Sequence, residues 1–465
     1  MEINTKICLL VCAFAMAREF RPLEPFFAEF LIGPDVGFSE KQAVQDIFVI
    51  WAYSSFFLVI LVFLITDFVR YKPIIIADGV AGIMTYVLLL GKPSVRMMQI
   101  EQMFYSFFFS SDTAYYTYMY AKIEDKMTYN RITGYVRACV LFGKFVSGCL
   151  SQLYVTIQHA GINASKLPLV YLSIGGMSVA TFISLLLPPV KHTFYFHRKK
   201  TEGDSAMENP NAISVSTIQI WSPDASDQPQ PQVKAVLSNS TPEIVEKSNG
   251  KYSTALKYFW SDFKCSFSNQ KVIVWAFWWS VAGAGSNLVL SYCQVIWKQV
   301  IEENYPDVES KNGIVDCIYT ALSAAASYKV GQLNVEWTRH SNALLTIGSL
   351  CLGVLVLFTS QLKNIYLLYG CHILFGLAYN TMLTVAEFEI AKQVKESCYG
   401  LVFGFIQFVT IAFTALWTMV IVEDTFFTFN IQRQFEFCAL YFLAIGIYYL
   451  LRTIQYSIWG KDELK

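Results

Sequence analysis

Glu24, Asp112, Arg137, Lys144 and Glu387 are ionisable side chains set inside otherwise apolar stretches of this chain. A charge is costly in hydrocarbon, so such residues face one another or line a water-filled cavity where a ligand meets them. Mutual pairing that merely holds helices together is the plainer alternative for any single member. Lys144 lies seven residues, two helical turns, after Arg137, so both project from nearly the same helix face. From that face Lys144 neutralises Asp112 or Glu387, recruits an anionic group such as a phosphate, or signals a different substrate.

Hydrolytic and metal chemistry lack a comparable basis. Of five histidines, His159, His192, His197 and His340 fall at the ends of apolar stretches or in loops. His372 alone is internal, with Cys371 beside it but no triad pattern. The eleven cysteines, among them Cys8, Cys12, Cys139, Cys149 and Cys351, form no CxxC pair and no His/Cys cluster at metal-ligand spacing. They read as packing residues. No catalytic residue, metal site or cofactor is expected, and an enzyme is disfavoured. A formal net charge of zero without a basic stripe sets nucleic acid aside.

The elements that must position the five charges are long apolar blocks. Hydrophobic residues make up 54% of 465 positions and charged ones only 15%, a balance unusual for a soluble domain. The blocks lie near 7–32, 45–66, 72–91, 96–121, 130–158 and 166–187, then near 272–297, 311–331, 342–361, 364–391, 396–422 and 433–456. Each is close to the roughly 20 residues that cross a bilayer core, and helices satisfy their own backbone there. The expectation is an all-α membrane protein of about twelve transmembrane helices, in a six-helix half over 1–187 and another over 272–456. The first block reads as a retained helix, since no small-residue cleavage site follows it.

Between the halves, 188–271 turns polar through His197 to Lys200 and Asp224 to Gln232, and reads as a largely disordered cytoplasmic loop. Residues 457–465 form a short tail. Counting from a cytoplasmic N-terminus, inner loops hold Arg70, Lys72, Lys122, Lys126, Arg131, Arg339, Lys392 and Lys395. Lys92 and Arg96 dissent on the outside, where Asp35, Glu40, Glu302, Glu303 and Asp307 keep the balance acidic. The positive-inside rule therefore places both termini in the cytoplasm. Asn163 heads a glycosylation sequon in a short outer loop, whereas the Asn239 sequon is cytoplasmic. Lys461 to Leu464 mimics a retrieval tail, but Lys465 follows and a retrieval signal must be terminal.

Two sets of six helices around a long central loop suggest a transporter with its substrate near the midplane. No Gly-rich phosphate loop ending in Gly-Lys-Ser/Thr is present. Transport is expected to be secondary, by proton coupling or by exchange with an organic anion.

The residues also resemble a family. Arg21 to Phe26, Leu31 to Asp35, Thr66 to Pro73, Tyr129 to Arg137, Trp275 to Trp279, Gln294 to Trp297 and Leu401 to Gly404 are similar, in order and spacing, to the reduced folate carrier and thiamine transporter family, solute carrier family 19. The resemblance implies a major facilitator fold and uptake of a water-soluble vitamin at the plasma membrane. It also suggests a gate or loop clasp for Asp67 and Arg70 at the end of the second span, where a spacing of three makes helical neighbours. A surface ion pair is the plainer reading.

Charge separates the substrates. Folates are dianions that need cations, whereas thiamine is a cation suited to carboxylates and aromatic faces. By resemblance, Asp112 stands where thiamine members are acidic, and Glu24, Trp51 and Tyr115 match thiamine-site residues, with Asn287 a weaker match. Folate members carry cations where this chain has Gly376 and Thr414. Thiamine is the preferred substrate. A reduced folate carrier and a non-transporting receptor-like member of the fold are the alternatives.

Overall fold

The computed structural model describes residues 3–122, 126–158, 165–190, 249–305, 308–332, 337–394, 398–422 and 429–459. In the first half, α1 (Ile3–Arg18) and α2 (Phe27–Ile32) flank a 3-10 turn, Glu24–Phe26, and a π-helical turn, Gln42–Phe48, opens α3 (Val49–Phe68). Then come α4 (Lys72–Val87), α5 (Val95–Ser110), α6 (Asp112–Lys122), α7 (Lys126–Ile157) and α8 (Leu167–Leu186). The remainder comprises α9 (Asn249–Phe267), α10 (Gln270–Asn304), α11 (Asn312–Gln332), α12 (Ser341–Gln361), α13 (Ile365–Gln393), α14 (Tyr399–Trp417) and α15 (Ile431–Trp459).

Each expected apolar block overlaps helix among the described residues. By length and composition, eight helical stretches among the described residues are apolar enough to cross a membrane. The remaining blocks fall on α1 and α2 with their break, α5 and α6 split at Ser111, the 16-residue α4, and the alanine- and serine-rich α11. Large apolar side chains point outward, Phe57, Ile347 and Leu451 being 60 to 69% exposed. Such a surface is what lipid-facing helices present.

The break after α1 follows from Pro22 and Pro25, which lack the N–H a continuous helix requires. Freed amides must find other partners at membrane depth. Ser147 of α7 accepts from the Arg21 amide at 3.1 Å, and Ser173 of α8 accepts from that of Leu23 at 3.2 Å. The interruption is therefore held by hydroxyls from two neighbouring helices.

The halves meet where α7 packs on α11 and where α3 packs on α14. On the first seam a Cβ at Gly313 would stand 2.8 Å from the Gly148 carbonyl oxygen, so only glycine permits this approach. On the second, Phe56 stacks on Phe408 at 5.7 Å.

Residues 249–267, at the end of the segment read as a largely disordered central loop, form helix α9. Phe259 lies against Phe63 of α3, and Phe263 and Phe267 lie against Phe405 of α14, so aromatic burial on both halves orders this end of the segment. Asp67 and Arg70 are also not one helical turn apart, because α3 ends at Phe68 and Arg70 and Tyr71 both take φ of 62°. The left-handed backbone there breaks the spacing-of-three geometry. Arg70 is exposed, and the Asp67 side chain lies outside the described residues. Asn163 and Asn239 lie outside them as well.

Candidate substrate site

At the level of the α1 break, a cavity of about 350 Å³ opens between the halves. That volume is in the range of small-molecule sites. The break supplies Arg18, Glu19, Arg21 and Glu24. Helices α3 to α6 add Trp51, Tyr86, Glu101 and Asp112, α7 adds Lys144, and α10 closes the far wall with Asn287 and Gln294.

Charge is arranged in a chain of pairs. Arg18 donates to Glu19, Asp78 and Asp112, each at 2.9 Å, and also to the Phe108 carbonyl at 2.7 Å. Its guanidinium stacks 3.9 Å from the Phe108 ring centroid. Arg21 donates to Glu19 and Glu24 at 2.9 Å. Glu24 accepts in addition from the Tyr86 hydroxyl at 2.9 Å, while its backbone carbonyl accepts from Gln294 at 2.8 Å across the interface. Both arginines are buried, whereas the Glu24 and Asp112 side chains keep 37 and 49% of their surface. Buried cations thus hold carboxylates whose free edges face the cavity.

An aromatic wall accompanies them. Trp51 meets Phe109 edge to face at 5.3 Å, and its indole N–H has no partner among the described residues. A planar cation placed there gains ring-face attraction as well as Coulomb attraction.

Of the residues singled out from sequence, Glu24, Trp51, Asp112, Lys144 and Asn287 line this cavity. Tyr115 does not. It is buried behind the Arg18 guanidinium, 5.7 Å from it, with its ring edge against Phe14. Arg137 and Glu387 also stand off the cavity wall and pair with each other, joining α7 to α13. Lys144 consequently finds neither Asp112 nor Glu387: its ion-pair partner is Glu19, at 3.6 Å.

Gly376 and Thr414 offer no cation. A Cβ at Gly376 would lie 2.3 Å from the Tyr319 ring, and the fully buried Thr414 hydroxyl donates to the Thr410 carbonyl while accepting from Asn287. Asn287 lines the cavity while its amide donates to Thr414.

Sequence reasoning missed Arg18, Glu19, Arg21, Asp78, Glu101 and Asp316. The first three flank the first apolar block's proline break and pass for an interruption. Asp78, Glu101 and Asp316 lay inside blocks and met the same charge-in-hydrocarbon criterion as the chosen five. Glu101 is buried with Gln102 donating to it at 2.8 Å. The Asp316 carboxyl has no hydrogen bond or ion pair among the described residues.

Residues 3–437 match the reduced folate carrier family. The chain belongs to that family. It is 29% identical to human thiamine transporter 2 over 98% of this chain and 91% of the relative. It is likewise 29% identical to folate transporter 1 of Caenorhabditis elegans, over 94 and 89% of the two chains. Among solved structures, the POT family transporter PepTSo superposes with a TM-score of 0.64 at 12% identity, covering 99% of both chains, and the nucleoside transporter NupG with 0.56 at 12% identity, covering 97 and 99%. These neighbours place the fold among major facilitator type carriers. Identity to thiamine transporter 2 and to folate transporter 1 is equal, and the human reduced folate transporter is 27% identical, so identity separates the substrates less than the site chemistry does.

Proposed function

We propose that this protein takes up thiamine across the plasma membrane as a secondary transporter working by alternating access, with both termini cytoplasmic. The observation that carries the reading is the asymmetry of the ion pairs: Arg18 and Arg21 are buried, and the carboxylates of Glu24 and Asp112 are what the cavity receives. A thiazolium ring fits carboxylates backed by Trp51 and Phe109, whereas a folate dianion finds no cation at Gly376 or Thr414. Relatives named as thiamine transporters support the same substrate. Alternating access is favoured because contacts between the halves flank Lys144 on α7: Arg137 reaches Glu387 before it, and Gly148 meets Gly313 after it. The coupled species is a proton or an exchanged organic anion.

A reduced folate carrier is the second reading, favoured by one observation, the half-exposed ammonium of Lys144. Parallel uptake of labelled thiamine and a labelled reduced folate by expressing cells tests both. Saturable thiamine uptake is expected; saturable folate uptake without it would overturn the assignment.

A further inference from the structure

The three cations around the cavity are not equivalent. Arg18 spans Glu19, Asp78 and Asp112, and Arg21 spans Glu19 and Glu24, so each already meets two or more carboxylates. Lys144 meets one, Glu19, at 3.6 Å, and the same Glu19 oxygen already accepts from Arg21 at 2.9 Å. Asp112 acts on Lys144 through space, and Lys144 acts on Asp316 of α11, but neither carboxylate forms an ion pair with it among the described residues. None of the three ammonium donors has a protein acceptor at hydrogen-bond distance among the described residues, and 43% of the side chain is exposed. An ammonium at membrane depth that is partly open to the cavity and held by one carboxylate at 3.6 Å can meet the oxygen acceptors of a ligand that enters.

We propose that Lys144 marks an anion subsite in the substrate cavity, and that the substrate class is an organic cation that also bears a phosphate monoester. Glu24 and Asp112 receive the cationic ring, and Lys144 receives the phosphate as a point charge with three donors. Glu19 does not exhaust Lys144, because it offers one oxygen at 3.6 Å, and Arg21 already holds that same oxygen at 2.9 Å. The proposal rests on the cation reading of the same cavity.

The test is competition against labelled thiamine by unlabelled thiamine and by thiamine monophosphate, in cells expressing the wild type, Lys144→Gln and Lys144→Arg, with surface expression measured for each. The wild type should be inhibited by the monophosphate at least as well as by thiamine. Lys144→Gln should weaken monophosphate inhibition about tenfold relative to thiamine inhibition, the scale of one lost charged contact, and Lys144→Arg should restore most of it. Failure of the monophosphate to compete with the wild type, or equal changes for both competitors in Lys144→Gln, would overturn the subsite. If thiamine itself is not transported, the cation reading fails separately. The subsite is then read from thermal shifts of the purified protein with thiamine monophosphate and with inorganic phosphate: a shift lost in Lys144→Gln supports it, and identical shifts in both proteins sink it.

Discussion

Arg18 Nη1 lies 2.9 Å from Oδ1 of Asp112, yet 3% of the arginine side chain is exposed against 49% of the aspartate. The pair is therefore one-sided. Asp78 and Glu19 complete the charge of Arg18 from within the protein, leaving the outward oxygen of Asp112 for whatever enters. The arginine orients the carboxylate without competing for the cavity, and the price is a buried cluster that must stay complete.

Asp112→Asn keeps the size of the side chain and removes its charge. Thiamine uptake per transporter at the surface should fall about 10- to 100-fold, as expected for losing about 1.5 to 3 kcal/mol of charge-assisted contact. Labelled thiamine uptake checks it, and unchanged affinity would remove Asp112 from the site.

Arg18→Met should act on folding before it acts on transport. It strands Asp78, 2% exposed, without its cation. Breaking a buried ion pair by deleting one partner costs about 3–5 kcal/mol. Reduced surface expression and a lower melting temperature of the purified protein are expected, and Asp78→Asn in the Arg18→Met background should recover part of both.

Much of the fold was legible because membrane solvation is read from block length and hydropathy, and neither depends on tertiary contacts. The α9 helix escaped because it is stabilised by Phe63 and Phe405, residues far away in sequence. At the site, charges inside apolar blocks led to Glu24, Asp112 and Lys144, which line the cavity. Their partners were not legible, since i to i+7 spacing puts Arg137 and Lys144 on one face without revealing that Glu387 stands beside the first and Glu19 beside the second. Tyr115 shows the limit of resemblance: the residue type is right, but Arg18 lies between it and the cavity wall.

On the face expected to be extracellular, partial burial together with Glu302 raises the Glu40 carboxyl above its ordinary value of 4.5, with Lys298 opposing. A carboxyl raised in the folded state binds more protons there than in the unfolded chain. Stability therefore falls as pH rises from the unfolded value through the folded one. Glu40→Gln should raise the melting temperature of the purified protein at neutral pH, and the gain should vanish below about pH 4.5, where both states are protonated. A pH-independent gain would refute the electrostatic cause.

Arg137 and Glu387 join α7 to α13 across the halves, each side chain about a quarter exposed. Alternating access requires such a contact to form in one state and part in another. Reversing either charge alone, Arg137→Glu or Glu387→Arg, sets like charges face to face and should cut thiamine uptake several-fold by disfavouring that state. The double reversal restores opposite charges, so a coupling of about 0.5–3 kcal/mol between the two positions should appear as partial recovery. A plain binding role would give a different pattern: affinity would drop in both single variants without recovery in the double. Uptake at saturating and at low thiamine, normalised to surface expression, separates the two outcomes.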